Sequence, residues 1–174
     1  MAWLTSLLSS LLLIRCATGE LPPGSAFPPL TFRDDRGATV KLGGEDDDSF
    51  PGKRVVIWWY PKADTPGCTK EGTTFQRLHQ AYGAKNVVIL GASADSEEEN
   101  RAFAEKFGFK YPLLCDVGRT LPDALSVDSR RWAVLIGPDR TIEKIWLDIS
   151  DPEDWPVTPL IHIAQSEVNA HAEL

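Results

Sequence analysis

The sequence predicts an α/β fold, a mixed central β-sheet flanked by helices, with a β-hairpin at its N-terminal side. Three observations predict it. Residues 54–60 (RVVIWWY) and 86–93 are continuous apolar runs rich in β-branched residues, as expected of strands covered on both faces. Helical segments with marked starts alternate with these runs. A second hairpin and a last helix follow, so the sheet is mixed rather than purely parallel.

The elements follow in order. Prolines at 22, 23, 28 and 29 punctuate an extended first segment. Residues 30–33 and 39–42 flank Asp34-Asp35-Arg36-Gly37 and read as a hairpin. A polar loop runs to Lys53, and strand 54–60 follows. The next helix has Asp64 or Thr65 as its cap and Pro66 in its first turn, with Phe75, Leu78 and Tyr82 as its apolar stripe. Gly83 is its stop. After strand 86–93, acids at 97–99 open another helix, where the macrodipole favours them, with Asp95 as its cap. Phe103 and Phe107 face its core side, and Gly108 ends it. A short strand at 111–115 and a helical turn at 119–125 come next. Strands at 132–136 and 141–147 flank Gly137-Pro138-Asp139-Arg140, and a helix over 156–168 covers one sheet face. One domain spans residues 22–168, with a tail at 169–174.

Residues 1–19 read as a leader. An apolar stretch at 3–14 is too short to span a bilayer comfortably, and Ala17-Thr18-Gly19 offers small residues for cleavage. No Lys or Arg precedes the stretch, and Arg15 follows it. Export through this signal is favoured. An uncleaved anchor is one rival, and a misassigned start, leaving a cytoplasmic protein, is the other. The last four residues, HAEL, echo a retrieval tail with Ala at its usual acidic second position.

Composition narrows the function. The 174 residues are 43% hydrophobic, enough for a core, and carry a formal charge of −7. That sign argues against nucleic acid or an anionic membrane as partner. The run Glu45-Asp46-Asp47-Asp48 reads as a solvated loop, since four consecutive carboxylates cannot all turn inward around a metal. Three histidines lie far apart, so neither a metal nor another cofactor is expected. Three cysteines (Cys16, Cys68, Cys115) do not make a disulfide framework.

Cys68 stands out by position. A free thiol is mostly protonated at neutral pH, and the unpaired N–H groups of a helix N-terminus stabilise its anion. Cys68 falls in the first turn after a strand, beside Gly67, where a small substrate could approach. On this ground alone it is either a reactive thiolate or an inert cysteine packed at a helix start.

The wider string decides between them. YPKADTPGCTKE, with Pro61, Thr65 and Cys68 at the spacing Pro-x3-Thr-x2-Cys, resembles the peroxiredoxins, and within them the bacterioferritin-comigratory or Q-type branch. GASADSEEENRAFAEKFGFKYPLLCD and SRRWAVLIGPDRTI are similar to later parts of that branch, and the resemblance covers roughly residues 22–150. It implies a thioredoxin-like fold and a thiol-dependent peroxidase that reduces hydrogen peroxide and organic hydroperoxides. Cys68 would be the nucleophile, and Thr65 would bind the peroxide. Pro61 would shield the thiolate, and Arg131 would favour it. Arg130 competes for the last assignment, although strand alternation sends the two arginines to opposite faces.

Positions where the branch carries a resolving cysteine are Thr73 and Ala104 here. Cys115 is the remaining candidate for a resolving residue. The expectation is a one-cysteine cycle with an external thiol reductant: thioredoxin, glutaredoxin or a low-molecular-weight thiol. Monomer and dimer are both compatible with it. Two other classes stay open: a thiol–disulfide oxidoreductase, against which residues 65–68 read TPGC rather than C-x-x-C, and a non-enzymatic interaction or chaperone-like protein.

Overall fold

A computed structural model describes residues 20–172. The leader with its Cys16, and the last two residues of the tail, lie outside the described residues.

Seven strands form one sheet in the order β2-β1-β5-β4-β3-β6-β7. They are β1 (Leu30–Asp34), β2 (Thr39–Leu42), β3 (Arg54–Trp59), β4 (Val87–Ser93), β5 (Leu113–Cys115), β6 (Trp132–Ile136) and β7 (Ile142–Trp146). The helices are α1 (Pro66–Ala84), α2 (Glu97–Phe107), α3 (Thr120–Leu125) and α4 (Thr158–Ala172), the last preceded by a 3-10 turn at Trp155–Val157. Pairs β3–β4 and β4–β5 are parallel and the others antiparallel, so the sheet is mixed.

Strand β3 is the centre of the molecule. Its side chains alternate between two cores, as the two-residue period requires. Val55, Ile57 and Trp59 pack with Phe32, Val134 and Ile136 on one face. Val56 and Trp58 pack on the other with Phe75 of α1, Phe103 of α2 and Ile163 of α4. Burying both faces explains the unbroken apolar run. In the first hairpin, Asp34 Oδ1 accepts from the Arg36 and Ala38 amides, and Gly37 takes the positive φ that the turn needs.

Several boundaries differ from the sequence reading. Strand β5 begins at Leu113 rather than residue 111, because Pro112 has no N–H for the ladder. Asp95 is not the cap of α2. Ser96 caps it in a reciprocal capping box with Glu99, and Asp95 turns back to the loop before α1. Neither Asp64 nor Thr65 caps α1 with its side chain. Thr65 occupies the N-cap position but donates to the Lys62 carbonyl at 2.9 Å, and Asp64, at positive φ, pairs with Lys106. Helix α4 starts at Thr158 and continues through residues 169–172, past the expected end at 168. Of the acidic run, Asp47 turns inward to accept from the Gly43 amide and pair with Arg140, while Glu45, Asp46 and Asp48 stay exposed.

Candidate active site

The candidate site lies where the C-terminal end of β3 meets the N-terminal end of β6. Antiparallel pairing of Trp59 with Trp132 sets the register, so Arg131 arrives opposite the residue that follows β3. From Tyr60 the chain runs through Pro61 to Thr65 and turns into α1. Cys68 sits at the third helical position with no exposed surface. The first intrahelical bond is donated by the Thr69 amide to the Thr65 carbonyl at 2.8 Å, so the Gly67 and Cys68 amides precede the ladder. No acid lies in this first turn to compete for their positive end.

Arg131 joins two elements. Its Nη2 donates to Cys68 Sγ at 3.3 Å, while Nη1 donates to Glu71 Oε2 in a close ion pair. The Arg131 side chain is 13% exposed and that of Glu71 0%, so the two groups meet out of bulk water. Alternation separates the two adjacent arginines: Arg130 is exposed and has no carboxylate partner among the described residues, whereas Arg131 reaches the thiol. Gly67 makes this approach possible, because a Cβ there would stand 3.2 Å from Arg131 Nη2.

Glu71 is the residue that the sequence reading missed. It lies one turn after Cys68, and an i, i+3 pair shares a helix face, which is the signal that could have found it. Burial pushes its carboxyl up, to about 8, against the opposing pull of the Arg131 guanidinium. Its Oε1 is buried without a hydrogen-bond partner among the described residues.

The loop carrying Pro61 and Thr65 is tied to α2 by charge. Lys62 Nζ pairs with Asp95 and with Glu99, the Ala63 amide donates to Asp95 Oδ2 at 2.8 Å, and Lys106 pairs with Asp64 at 2.6 Å. Pro61 is exposed at the rim, and Thr65 is half-buried beside the helix start. With its hydroxyl proton on the Lys62 carbonyl, Thr65 Oγ1 keeps lone pairs to accept from a bound O–H.

Cys115 is a separate matter. It ends β5, half-buried, and accepts from Asn100 Nδ2 at 3.4 Å. Asn100 Oδ1 also accepts from the Tyr60 hydroxyl at 2.6 Å and from Ser93 at 3.2 Å. Burial pushes the Cys115 thiol up, which makes it a weak nucleophile. Thr73 bonds back to the carbonyls of Thr69 and Lys70, and Ala104 is buried against Phe109. His79 stacks on Tyr111, a packing role. Among the described residues, no group of three His, Cys, Asp or Glu side chains could hold a metal ion.

Known proteins resemble this chain in sequence and in fold. The sequence profile of the AhpC/TSA family matches residues 23–145. Chloroplastic peroxiredoxin Q of Sedum lineare is 35% identical over 118 residues, covering 68% of this chain and 61% of the relative. Peroxiredoxin Bcp of Bacillus subtilis is 38% identical over 104 residues, 60% of this chain and 63% of the relative. The chain thus spans less than two thirds of the length of both. Among solved structures, peroxidoxin BcpB from Mycobacterium tuberculosis superposes with a TM-score of 0.75 at 24% identity, covering 82% of this chain and 96% of that one, a likeness of fold.

Proposed function

We propose that this chain, which belongs to the AhpC/TSA family, is a thiol-dependent peroxidase whose nucleophile is Cys68. The observation that carries the proposal is the 3.3 Å approach of Arg131 to a cysteine in the first turn of a helix. A fixed guanidinium and free helix amides both present positive charge to the attacking sulfur and to the charge it passes on. Thr65 receives the hydroperoxide by accepting a hydrogen bond from its O–H, and Pro61 limits what enters from the rim.

The reaction follows from those groups. The Cys68 thiolate attacks the terminal oxygen of ROOH, an S–O bond forms and the O–O bond breaks. Negative charge passes from sulfur to the leaving oxygen, which takes a proton and departs as ROH, or as water when the substrate is hydrogen peroxide. The guanidinium stays beside the charge throughout, without reorganising. The product is a Cys68 sulfenic acid. An external thiol then attacks the sulfenic sulfur and expels water, and a second thiol cleaves the mixed disulfide and restores the thiolate. The raised Cys115 thiol and the absence of a cysteine at positions 73 and 104 support this one-cysteine cycle.

Intact mass spectrometry after one equivalent of hydrogen peroxide, with a sulfenic-acid trap and no reductant, tests the proposal. An adduct on Cys68 is the expected result. A loss of two hydrogens joining Cys68 to Cys115 would retain the peroxidase and replace its cycle with an internal one. No rapid change at Cys68 would remove the enzymatic reading.

A further inference from the structure

A cavity adjoins the active-site loop at Pro61. It measures about 380 Å³ and is lined by Trp59, Pro61, Arg119, Asp128, Ser129 and Arg130. Pro61 belongs to the active-site loop, and Arg130 directly precedes Arg131, so two of the cavity's lining residues belong to the segments that carry the site.

Its charge is unusual for this molecule. Arg33, Arg36, Arg54, Arg101, Arg131 and Arg140 each have a carboxylate within ion-pair distance. Arg77 lacks one, but its Nη2 donates to Thr74 Oγ1 at 2.8 Å. Among the described residues, Arg119 and Arg130 have no ion pair and no side-chain hydrogen bond, and both line this one cavity. Asp128 is the only acid in the lining, which leaves a net positive site on a chain of formal charge −7.

The cations are also positioned. The Arg119 guanidinium lies over the Trp59 ring, 5.5 Å from its centroid, and Trp59 stacks on Trp132 at an interplanar angle of 5°. The Arg119 backbone adopts positive φ, with its amide donating to the Asp116 carbonyl at 2.9 Å. Ser129 Oγ lies 3.0 Å from both the Arg131 carbonyl and Asp148 Oδ1, the two acceptors open to its single O–H, and accepts from the Asp148 amide, which pins the backbone on either side of Arg130. Exposed guanidiniums held without partners beside a reactive centre suit a planar anion that accepts two N–H donors.

We infer that this cavity is a subsite for the carboxylate of a small molecule reacting at Cys68. The inference rests on the peroxidase reading for the identity of that molecule, and the carboxylate can come from either reactant. In one case it is carried by the hydroperoxide, in the other by the thiol that reduces the sulfenic acid.

The two half-reactions separate these sources. Oxidation of Cys68 is timed with a tertiary alkyl hydroperoxide bearing a carboxylate and with its methyl ester. Reduction of the sulfenic acid is timed with 3-mercaptopropionate and with its methyl ester. Each is run on the wild type and on the Arg119→Ala/Arg130→Ala double variant, with hydrogen peroxide as the uncharged reference. The variant is expected to lose about five- to tenfold with the carboxylate reagent in one half-reaction, and to change less than about twofold with the ester and with hydrogen peroxide. Salt screens the same preference. Asp128→Asn, which alters a lining residue and neither arginine, is expected to raise the acid-to-ester ratio.

Equal acid-to-ester ratios in wild type, double variant and Asp128→Asn, in both half-reactions, would overturn the inference. A wild type that ignores hydrogen peroxide would instead sink the peroxidase reading. In that event, binding of unreactive 3-(methylthio)propionate, followed by NMR shifts at Trp59 and Arg119, still decides the subsite. Shifts that vanish in the double variant support it, and their absence from the wild type rejects it.

Discussion

Replacing Arg131 by alanine removes the fixed guanidinium charge at Cys68, and the geometry sets the size of the effect. The guanidinium lies 3.3 Å from Sγ at its nearest nitrogen, between a side chain that is 0% exposed and a buried carboxylate. A unit charge pair at about 4 Å is worth about 4 kcal/mol at an effective dielectric of about 20. An ionised Glu71, paired with the same guanidinium, opposes this, and a lower bound of about 2 kcal/mol allows for it. The thiolate and the early transition state therefore lose about 2 to 4 kcal/mol, a rate loss of roughly 30- to 1,000-fold. Single-turnover oxidation of the reduced protein by hydrogen peroxide, followed by tryptophan fluorescence, measures it directly. Arg131→Ala also strands Glu71, so the double variant Arg131→Ala/Glu71→Gln is measured beside it to separate folding damage from lost electrostatics. If the double variant unfolds at the wild-type temperature and reacts within about threefold of the wild-type rate, the electrostatic account of the site is wrong.

Glu71 makes stability at this site depend on pH in a defined direction. Its carboxyl is held at about 8 in the folded chain against an ordinary 4.5, so folding takes up a proton between those values. The contribution is fully present below about 4.5 and is lost as pH rises through about 8. Thermal unfolding from pH 4.5 to 9 is expected to show a steeper decline for wild type than for Glu71→Gln, and parallel curves would contradict the assignment. Above pH 8 the ionised carboxylate also draws on the Arg131 charge, so the Glu71→Gln to wild-type rate ratio is expected to climb there. Gly67→Ala sets a Cβ 3.2 Å from Arg131 Nη2 and 3.7 Å from Pro152 Cγ. It is expected to slow peroxide reduction about tenfold while leaving the melting temperature unchanged or higher, since alanine favours the helix. An unchanged rate would mean that the guanidinium has room to spare.

Much of the architecture was legible because burial leaves a pattern in the chain. Strand β3 is apolar at every position from Val55 to Trp59 since both its faces are covered, and Gly108 ends α2 in the left-handed conformation that glycine tolerates. Cys68 was legible from its place after a strand and before a helical stripe. The separation of Arg130 from Arg131 followed from strand alternation. The caps were less legible, because Asp64, Thr65, Asp95 and Ser96 are all competent acceptors. Which of them turns to its own helix depends on Lys62 and Lys106, whose partners lie across the fold. Glu71 was hidden for a similar reason. A glutamate on a helix ordinarily faces water, and only the arrival of Arg131 from β6 turns this one inward.

The pairing of β3 with β6 has a consequence for how the protein comes into being. Cys68 lies on the helix that follows β3, whereas Arg131 stands at the head of a strand whose Trp132 pairs with Trp59. Such a contact between distant parts of the chain closes a long loop, whose entropy cost is met before the contact stabilises anything. A growing polypeptide carries the cysteine well before the arginine has been synthesised, and domains complete their folding as units. Until β6 docks, the thiol has no guanidinium beside it. Reactivity therefore arrives with the finished sheet, and an unfinished chain carries an ordinary cysteine through a stage when oxidation would trap it.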